Sequence, residues 1–134
     1  MESAGRVLVL DDDEGIRSAF ARVLTREGYT VQIAESAEEA LRHVGLTRPD
    51  AILLDLKMPM INGVGFLYRL RQNPANKDIA VAMITGERTL DDATVTDVRM
   101  LNARIFYKPL SLDDVRRVVR TLLTRGEAGT TPER

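Results

Sequence analysis

Short apolar runs of strand length recur along the 134-residue chain and alternate with segments of helical spacing. The five runs are Val7–Leu10, Val31–Ala34, Ala51–Leu54, Ile79–Ile84 and Ile105–Tyr107. Strands that alternate with helices are typical of a parallel sheet with helices on both of its faces. The pattern therefore predicts a single α/β domain, in which a doubly wound, five-stranded parallel sheet is covered by five helices.

The polarity of the runs indicates which strands are central. The first, third and fourth runs are apolar throughout, as is typical of strands that are buried on both faces. The second run alternates polar and apolar residues, and the fifth follows Arg104 and ends in Tyr107, so both suit the edge of a sheet. These features predict the strand order 2-1-3-4-5, which is the order of flavodoxin-like folds.

The segments between the runs carry apolar residues at helical spacing. We expect Asp13 to cap the first helix. The start of the second helix at Ser36 has the form of a capping box, and the start of the fifth at Ser111 carries another capping signal. The fourth helix, near 89–102, has the weakest apolar pattern. The residues expected to face the core are, helix by helix, Ile16, Phe20, Val23 and Leu24; Ala37, Ala40, Leu41 and Val44; Val64, Leu67 and Leu70; Val95, Val98 and Leu101; and Leu112, Val115, Val119 and Leu122.

Composition narrows the classes of function. Nineteen basic and twenty acidic residues leave a formal net charge of −1, which gives no reason to expect a nucleic-acid or membrane partner. The chain has no cysteine, and His43 is its single histidine, so thiolate and histidine-based metal sites are excluded. No apolar run approaches the ~18 residues of a membrane span, and a cytoplasmic protein is expected. Residues 5–124 should form the domain, and 125–134, which lack periodicity, a disordered tail or linker.

Polar side chains follow four of the five predicted strands. Acidic residues at 11–14 follow the first strand, Asp55 follows the third, Thr85 and Gly86 follow the fourth, and Lys108 and Pro109 follow the fifth. Each alone is more typical of a helix cap or a turn. However, ligands of such sheets bind beyond the carboxyl ends of the strands, and the predicted strand order brings these residues to that one rim.

The residue types at this rim favour phosphoryl chemistry. Asp11, Asp12 and Asp55 would repel one another there unless a cation neutralised them. A site with oxygen ligands alone suits Mg²⁺. A lysine and a hydroxyl beside the metal suit a transferred phosphoryl group, whose oxygens need positive charge and hydrogen-bond donors. An aspartate can itself be the nucleophile.

These residues resemble the motifs of response regulator receiver domains, the chemotaxis-regulator type of domain that serves two-component signalling. The matching segments are VLVLDDDEGIR at 7–17, LLDLKMP at 53–59 with Asn62 and Gly63, ITG at 84–86 and YKP at 107–109. The resemblance covers residues 5–124. It implies a phosphorelay receiver that carries out its own phosphorylation and dephosphorylation but turns over no external substrate.

The resemblance implies a role for each acidic residue. Asp55 accepts the phosphoryl group from a phosphohistidine on a kinase. Asp12 and Asp55 bind Mg²⁺ directly, together with the main-chain carbonyl of Lys57. Asp11 acts on the metal through a bound water molecule.

The other matching residues take roles around the phosphoryl group. The resemblance implies that the Thr85 hydroxyl donates to one phosphoryl oxygen and that Lys108 pairs with another. Gly86 leaves the site open because it is small. Pro59 and Gly63 shape the loop after the nucleophile.

Three further expectations concern the surroundings of the site. The resemblance implies a cis peptide at Lys108–Pro109. Lys57 and Glu87 each lie two residues after a site residue, and we expect them to face each other across the site mouth. In this family the position three before the lysine is commonly an aromatic residue that acts as a rotameric switch. Here it is Ile105, which we expect to be partly buried in one rotamer, so that coupling rests on the loop after Thr85 and the fourth helix.

The resemblance also implies partners. These are a sensor histidine kinase or a phosphotransfer protein, and a downstream effector domain or protein, with no direct contact to nucleic acid. A homodimer through the fourth helix, fifth strand and fifth helix is left open.

Two alternatives use the same residues differently. An enzyme of the haloacid dehalogenase type also uses an aspartate nucleophile and Mg²⁺, but it needs a second aspartate where this chain has Lys57. A protein-interaction module of the same fold that works without phosphorylation is the other alternative. The intact set of acidic residues, Thr85 and Lys108 argues against it.

Overall fold

In this computed structural model, the described residues are 3–55, 60–86 and 90–124. The strands are β1 (Arg6–Asp11), β2 (Thr30–Ala34), β3 (Ala51–Asp55), β4 (Ala80–Thr85) and β5 (Ala103–Tyr107). The helices are α1 (Glu14–Arg26), α2 (Ala37–Leu46), α3 (Met60–Arg71), α4 (Asp92–Met100) and α5 (Leu112–Leu123), with a short 3-10 helix at Pro74–Asn76. The expected tail at 125–134 lies outside the described residues.

The strands form one parallel sheet in the order β2-β1-β3-β4-β5, which confirms the predicted order. Every residue of β3 and β4 is buried, as is β1 from Val7 onwards, whereas β2 and β5 contain half-exposed residues. The apolar runs are therefore central because both of their faces are covered, and the mixed runs lie at the edges.

Each face of the sheet is covered by its own hydrophobic cluster. Leu8 and Leu10 point to the face that carries α2, α3 and α4. Val7 and Val9 point to the opposite face, which carries α1 and α5. Because successive side chains of a strand alternate between the faces, the apolar runs supply both clusters at once.

The central strands extend one residue beyond the apolar runs. β1, β3 and β4 end in Asp11, Asp55 and Thr85 respectively, and these polar residues were expected to follow the strands. Main-chain hydrogen bonds hold a strand together whatever the side chain is, so the ladder continues into the polar residues. As a result, the candidate site residues are held by the sheet itself.

The helix starts agree with the sequence except in two details. The N-caps Asp13 and Ser111 accept main-chain N–H groups of their helices, and Ser111 and Asp114 form a capping box. At α2, Ser36 is the N-cap, but the Glu39 side chain accepts from the N–H of Glu35 and not from that of Ser36, so the expected capping box is displaced by one residue.

The second detail is the apolar stripe of α5. Leu112 was expected to face the core, but 46% of its surface is exposed, while Val118 is buried. Leu112 is the first residue of the helix, and the buried residues of α5 begin at Val115. None of the helices in the described part of the chain is both long enough and apolar enough to cross a membrane.

Candidate functional site

Two carboxylates meet at the carboxyl edge of the sheet. Asp11 of β1 and Asp55 of β3 are partners in the parallel register, and only 1% and 2% of their surfaces are exposed. Paired strands are about 4.8 Å apart, and side chains at the same register point to the same face. The sheet therefore places two buried acidic groups side by side.

Lys108 supplies the positive charge of the site. Its Nζ atom lies 2.8 Å from Oδ1 of Asp55. Its main-chain N–H donates to the carbonyl of Thr85 at 2.8 Å, which ties the end of β5 to the end of β4. The Lys108–Pro109 peptide is cis, as predicted.

Asp11 is held by one of its two carboxylate oxygens. Oδ1 accepts the main-chain N–H of Asp13 at 2.8 Å. Oδ2 is buried and has no hydrogen-bond partner among the described residues. The pKa of the Asp11 carboxyl is raised from 3.8 to about 7. Burial is the largest cause; the N–H of Asp13 and the charge of Lys108 lower the pKa, and the charges of Asp55 and Asp12 raise it. The charged form of this carboxyl is thus disfavoured, and a nearby cation would stabilise it.

The remaining site residues differ in exposure. Asp12 is exposed, although it is adjacent to buried Asp11. Thr85 is buried, with 6% of its surface exposed, at the end of β4. A Cβ added to Gly86 would lie 3.9 Å from Cδ of Lys108, an ordinary contact distance, so this neighbour does not require a glycine.

The donors of the site suit a magnesium ion. In the described ranges, no three acidic or histidine side chains stand ready as a cluster of metal ligands. Mg²⁺ does not require one, because it keeps several water molecules and is usually held by one or two carboxylates. Oδ2 of Asp11, which has no hydrogen-bond partner in the described part of the chain, lies beside Asp55 and is therefore a fitting place for this ion.

Three of the expected residues are not described, Gly63 lies within α3 and not in the loop after the nucleophile, and Ile105 is more deeply buried than expected. Lys57, Pro59 and Glu87, and with them the expected Lys57–Glu87 pair, lie outside the described residues. Ile105 is more deeply buried than expected, with 4% of its surface exposed, because β5 turns its side chain into the cluster that includes Val98 of α4.

Arg17 contacts the site but was not predicted. Its Nη1 atom donates to the main-chain carbonyl of Asp11 at 2.8 Å. A signal for it was present, because a basic residue so close to the start of a helix is disfavoured by the helix dipole. The sequence does not, however, indicate which group the guanidinium reaches.

The sequence of the chain resembles the sequences of known proteins over nearly its whole length. The family model of the response regulator receiver domain matches residues 7–120. The chain is 35% identical over 129 residues to the transcriptional regulatory protein PrrA of Mycobacterium leprae, and this match covers 96% of the chain and 54% of PrrA. It is 33% identical over 131 residues to the response regulator MprA of Mycolicibacterium vanbaalenii, covering 96% of the chain and 52% of MprA. The chain thus spans about half the length of these relatives.

Solved structures with the same fold include proteins of different lengths. The chemotaxis protein CheY4 of Vibrio cholerae has a TM-score of 0.77 at 26% identity, and the match covers 88% of this chain and 98% of CheY4. NtrX of Brucella abortus has a TM-score of 0.74 at 26% identity, and the match covers 92% of this chain but 28% of NtrX. This fold therefore occurs both as nearly the whole of a chain and as a small part of one.

Proposed function

The chain belongs to the response regulator receiver family of two-component signalling, and on that basis we propose that Asp55 accepts a phosphoryl group in a step that depends on Mg²⁺. The observation that carries this proposal is the setting of Asp55. Its carboxylate is buried beside Asp11 and lies 2.8 Å from the Lys108 ammonium group. A receiver that worked without phosphorylation would have no need for two adjacent buried carboxylates, which destabilise each other.

The phosphoryl donor is a phosphohistidine on a sensor kinase or phosphotransfer protein. An Asp55 oxygen attacks the phosphorus, the P–N bond breaks, and the imidazole leaves as the acyl phosphate forms. Lys108 already contacts Oδ1 of Asp55, so a small movement of its side chain brings the ammonium group to a phosphoryl oxygen, with which it pairs. The Thr85 hydroxyl, at the end of the adjacent strand β4, donates to another oxygen.

Asp12 and Asp55 would hold Mg²⁺ directly and Asp11 would act on it through a bound water molecule, and the ion would neutralise the charge that gathers on the transferred group. The residues support this role in two ways. They offer oxygen donors only, and the buried Oδ2 of Asp11 has no other partner among the described residues. The main-chain carbonyl of Lys57 completes the proposed set of ligands.

The phosphorylated domain then binds an effector domain or protein through α4, β5 and α5. The chain spans about half of relatives whose names describe response and transcriptional regulators, so an effector domain in the same protein is one form this output takes. A homodimer through the same surface is another. We assign residues 5–124 to the receiver domain and 125–134 to a tail or linker.

The test is phosphorylation by a small-molecule donor. The protein is incubated with acetyl phosphate or phosphoramidate and Mg²⁺, and the intact mass is measured. We expect one phosphoryl adduct, which is absent from Asp55→Asn and absent in EDTA. Asp78→Asn is the matched control, because Asp78 is exposed and precedes β4 at the opposite edge of the sheet.

Two results would contradict the proposal. An adduct that persists in Asp55→Asn would assign the phosphoryl group to another residue. No adduct and no Mg²⁺ binding would favour an interaction module that works without phosphorylation.

A further inference from the structure

Arg17 closes the first turn of α1. Its main-chain N–H donates to the carbonyl of Asp13 at 2.9 Å. The positive end of the helix dipole lies here, so a basic side chain is disfavoured unless it gains a compensating contact. The N-cap Asp13 and the following Glu14 match the dipole, whereas Arg17 does not.

The compensating contact is with the end of β1. Nη1 of Arg17 donates to the main-chain carbonyl of Asp11 at 2.8 Å, and Arg17 is half-buried. A hydrogen bond from a charged donor is about twice as strong as a neutral one. The guanidinium therefore holds the main chain of Asp11, while the N–H of Asp13 holds its Oδ1.

This carbonyl belongs to the peptide that joins Asp11 to Asp12. A peptide group is planar, so a bond to its carbonyl sets the orientation of the whole unit and the point from which Asp12 departs. With Oδ1 held by Asp13, the oxygen of Asp11 left for a cation is the buried Oδ2. One guanidinium thus acts on two of the acidic residues.

We propose that Arg17 is a positioning residue for the metal ion, which keeps Asp11 and Asp12 in the arrangement that binds Mg²⁺. This inference rests on the proposed function, since it assumes that Mg²⁺ binds at these carboxylates. Arg17 does not contact the ion; it acts through the Asp11–Asp12 peptide.

Positioning and simple electrostatics predict opposite changes in Mg²⁺ affinity when Arg17 is replaced. A fixed positive charge near the site repels a divalent cation, so removing it would tighten Mg²⁺ binding if charge were its only effect. If Arg17 positions the ligands, its removal weakens binding. Loss of the partner of a metal ligand typically lowers metal affinity by about 10- to 100-fold.

The experiment measures the Mg²⁺ dissociation constant of three variants by following the amide resonances of Asp12 and Asp13 during an NMR titration. Arg17→Met removes every donor but keeps the apolar stem, and we expect its dissociation constant to rise on the order of 10-fold. Arg17→Lys keeps the charge and one donor and should recover part of the affinity. Arg22→Met, at an exposed arginine of the same helix, is the control and should match the wild type.

A second measurement separates positioning from general damage. The Mg²⁺ concentration that gives half of the maximal phosphorylation rate with acetyl phosphate should rise in Arg17→Met by the same factor as its Mg²⁺ dissociation constant, which general damage to the fold would not produce. Unchanged or tighter Mg²⁺ binding in Arg17→Met overturns the inference while leaving the proposed function intact. If Arg17→Met does not fold, Arg17→Lys decides, and a Mg²⁺ affinity of Arg17→Lys equal to that of the wild type would overturn the role. Absence of saturable Mg²⁺ binding in the wild type would overturn the proposed function and this inference together.

Discussion

Asp11 and Asp12 are adjacent in sequence but lie in different environments. Asp11 is the last residue of β1 and is buried, whereas Asp12 has left the strand and is exposed. Burial raises the pKa of Asp11 to about 7. Adjacent residues of the same type thus differ because one is held by the sheet and the other by the loop.

The raised pKa of Asp11 predicts how stability depends on pH. An unfolded chain releases this proton near pH 3.8, whereas the folded protein keeps it until about pH 7. Between these values the folded state binds more protons, so the group lowers stability as the pH rises, and its full cost is present above pH 7. Each pKa unit corresponds to about 1.4 kcal/mol.

In EDTA, the stability of Asp11→Asn relative to the wild type should therefore increase by about 2–3 kcal/mol when the pH is raised from 5 to 8. The measurement is the free energy of unfolding in urea at both pH values. Saturating Mg²⁺ should reduce the effect, because the metal neutralises the carboxylate. An equal stability difference at both pH values would show that Asp11 does not titrate in this range.

At the scale of elements, the C-terminal end of α3 is joined to three other segments by one side chain. Arg71 donates to four main-chain carbonyls: Asn76 at 2.6 Å, Ile79 at 2.8 Å, Leu101 at 2.9 Å and Asn102 at 3.0 Å. These carbonyls lie in the 3-10 helix, before β4, and in the turn from α4 to β5. The guanidinium therefore anchors the C-terminal end of α4 to α3.

Arg71→Met should lower the free energy of unfolding by about 2–3 kcal/mol, because hydrogen bonds from a charged group contribute about 1.5–3 kcal/mol each and are not additive. Arg69→Met is the control. Arg69 lies on the same helix, and its contact is an exposed pair with Glu38 at 3.9 Å. We expect the control to change stability by less than about 0.5 kcal/mol. Equal losses in both variants would show that the four carbonyl contacts contribute little.

The structure around α4 also bears on how phosphorylation is transmitted. Ile105 is buried and, being β-branched, has little freedom at χ1. Val98 is the one fully buried residue within the described helix α4, so this element has few apolar contacts to hold it in place. With its C-terminal end anchored by Arg71, α4 is free to shift mainly at its N-terminal end.

We expect that beryllofluoride, a mimic of the phosphoryl group, will shift the methyl resonances of Val95 and leave the Ile105 rotamer unchanged. Methyl NMR with and without beryllofluoride and Mg²⁺ is the measurement. A rotamer change at Ile105 with no change at Val95 would contradict this prediction. Asp55→Asn, which lacks the acceptor carboxylate, should show neither change.

At the scale of the whole molecule, two hydrophobic clusters share one sheet. Tyr107 packs against the cluster under α2, α3 and α4, and Tyr29 packs against the cluster under α1 and α5. Because each central strand supplies side chains to both clusters, neither can be lost while the other persists. Single domains of this size usually unfold in one cooperative step.

Urea unfolding should therefore give the same midpoint by circular dichroism and by tyrosine fluorescence, with a slope of about 1–3 kcal/mol per molar urea. In a Tyr68→Phe background, the variants Tyr29→Phe and Tyr107→Phe each leave one tyrosine, and the two remaining tyrosines lie on different faces. Their fluorescence transitions should each coincide with the circular dichroism transition. Separate midpoints for the two faces would mean that the clusters unfold independently.

Much of this architecture could be predicted from the sequence. The apolar runs, their polarity and the helical spacing between them determined the five parallel strands, their order and the rim at which Asp11, Asp55, Thr85 and Lys108 lie. Hydrophobic periodicity carries this information because it depends on which side chains each face must bury. The chemical types at the strand ends then indicated phosphoryl chemistry and a cation.

Only the tertiary structure decided the contacts between groups that are distant in sequence, because hydrophobic periodicity carries no information about polar side chains. The strands extend to Asp11 and Asp55 because ladder hydrogen bonds join main chains whatever the side chains are. Asp11 is buried and Asp12 is not, although the two are adjacent in sequence. The carbonyls that accept hydrogen bonds from Arg17 and Arg71 depend on where main-chain oxygens from separate segments meet. A sequence pattern records which side chains avoid water, but it does not record the directions of main-chain acceptors, which exist only once the chain has folded.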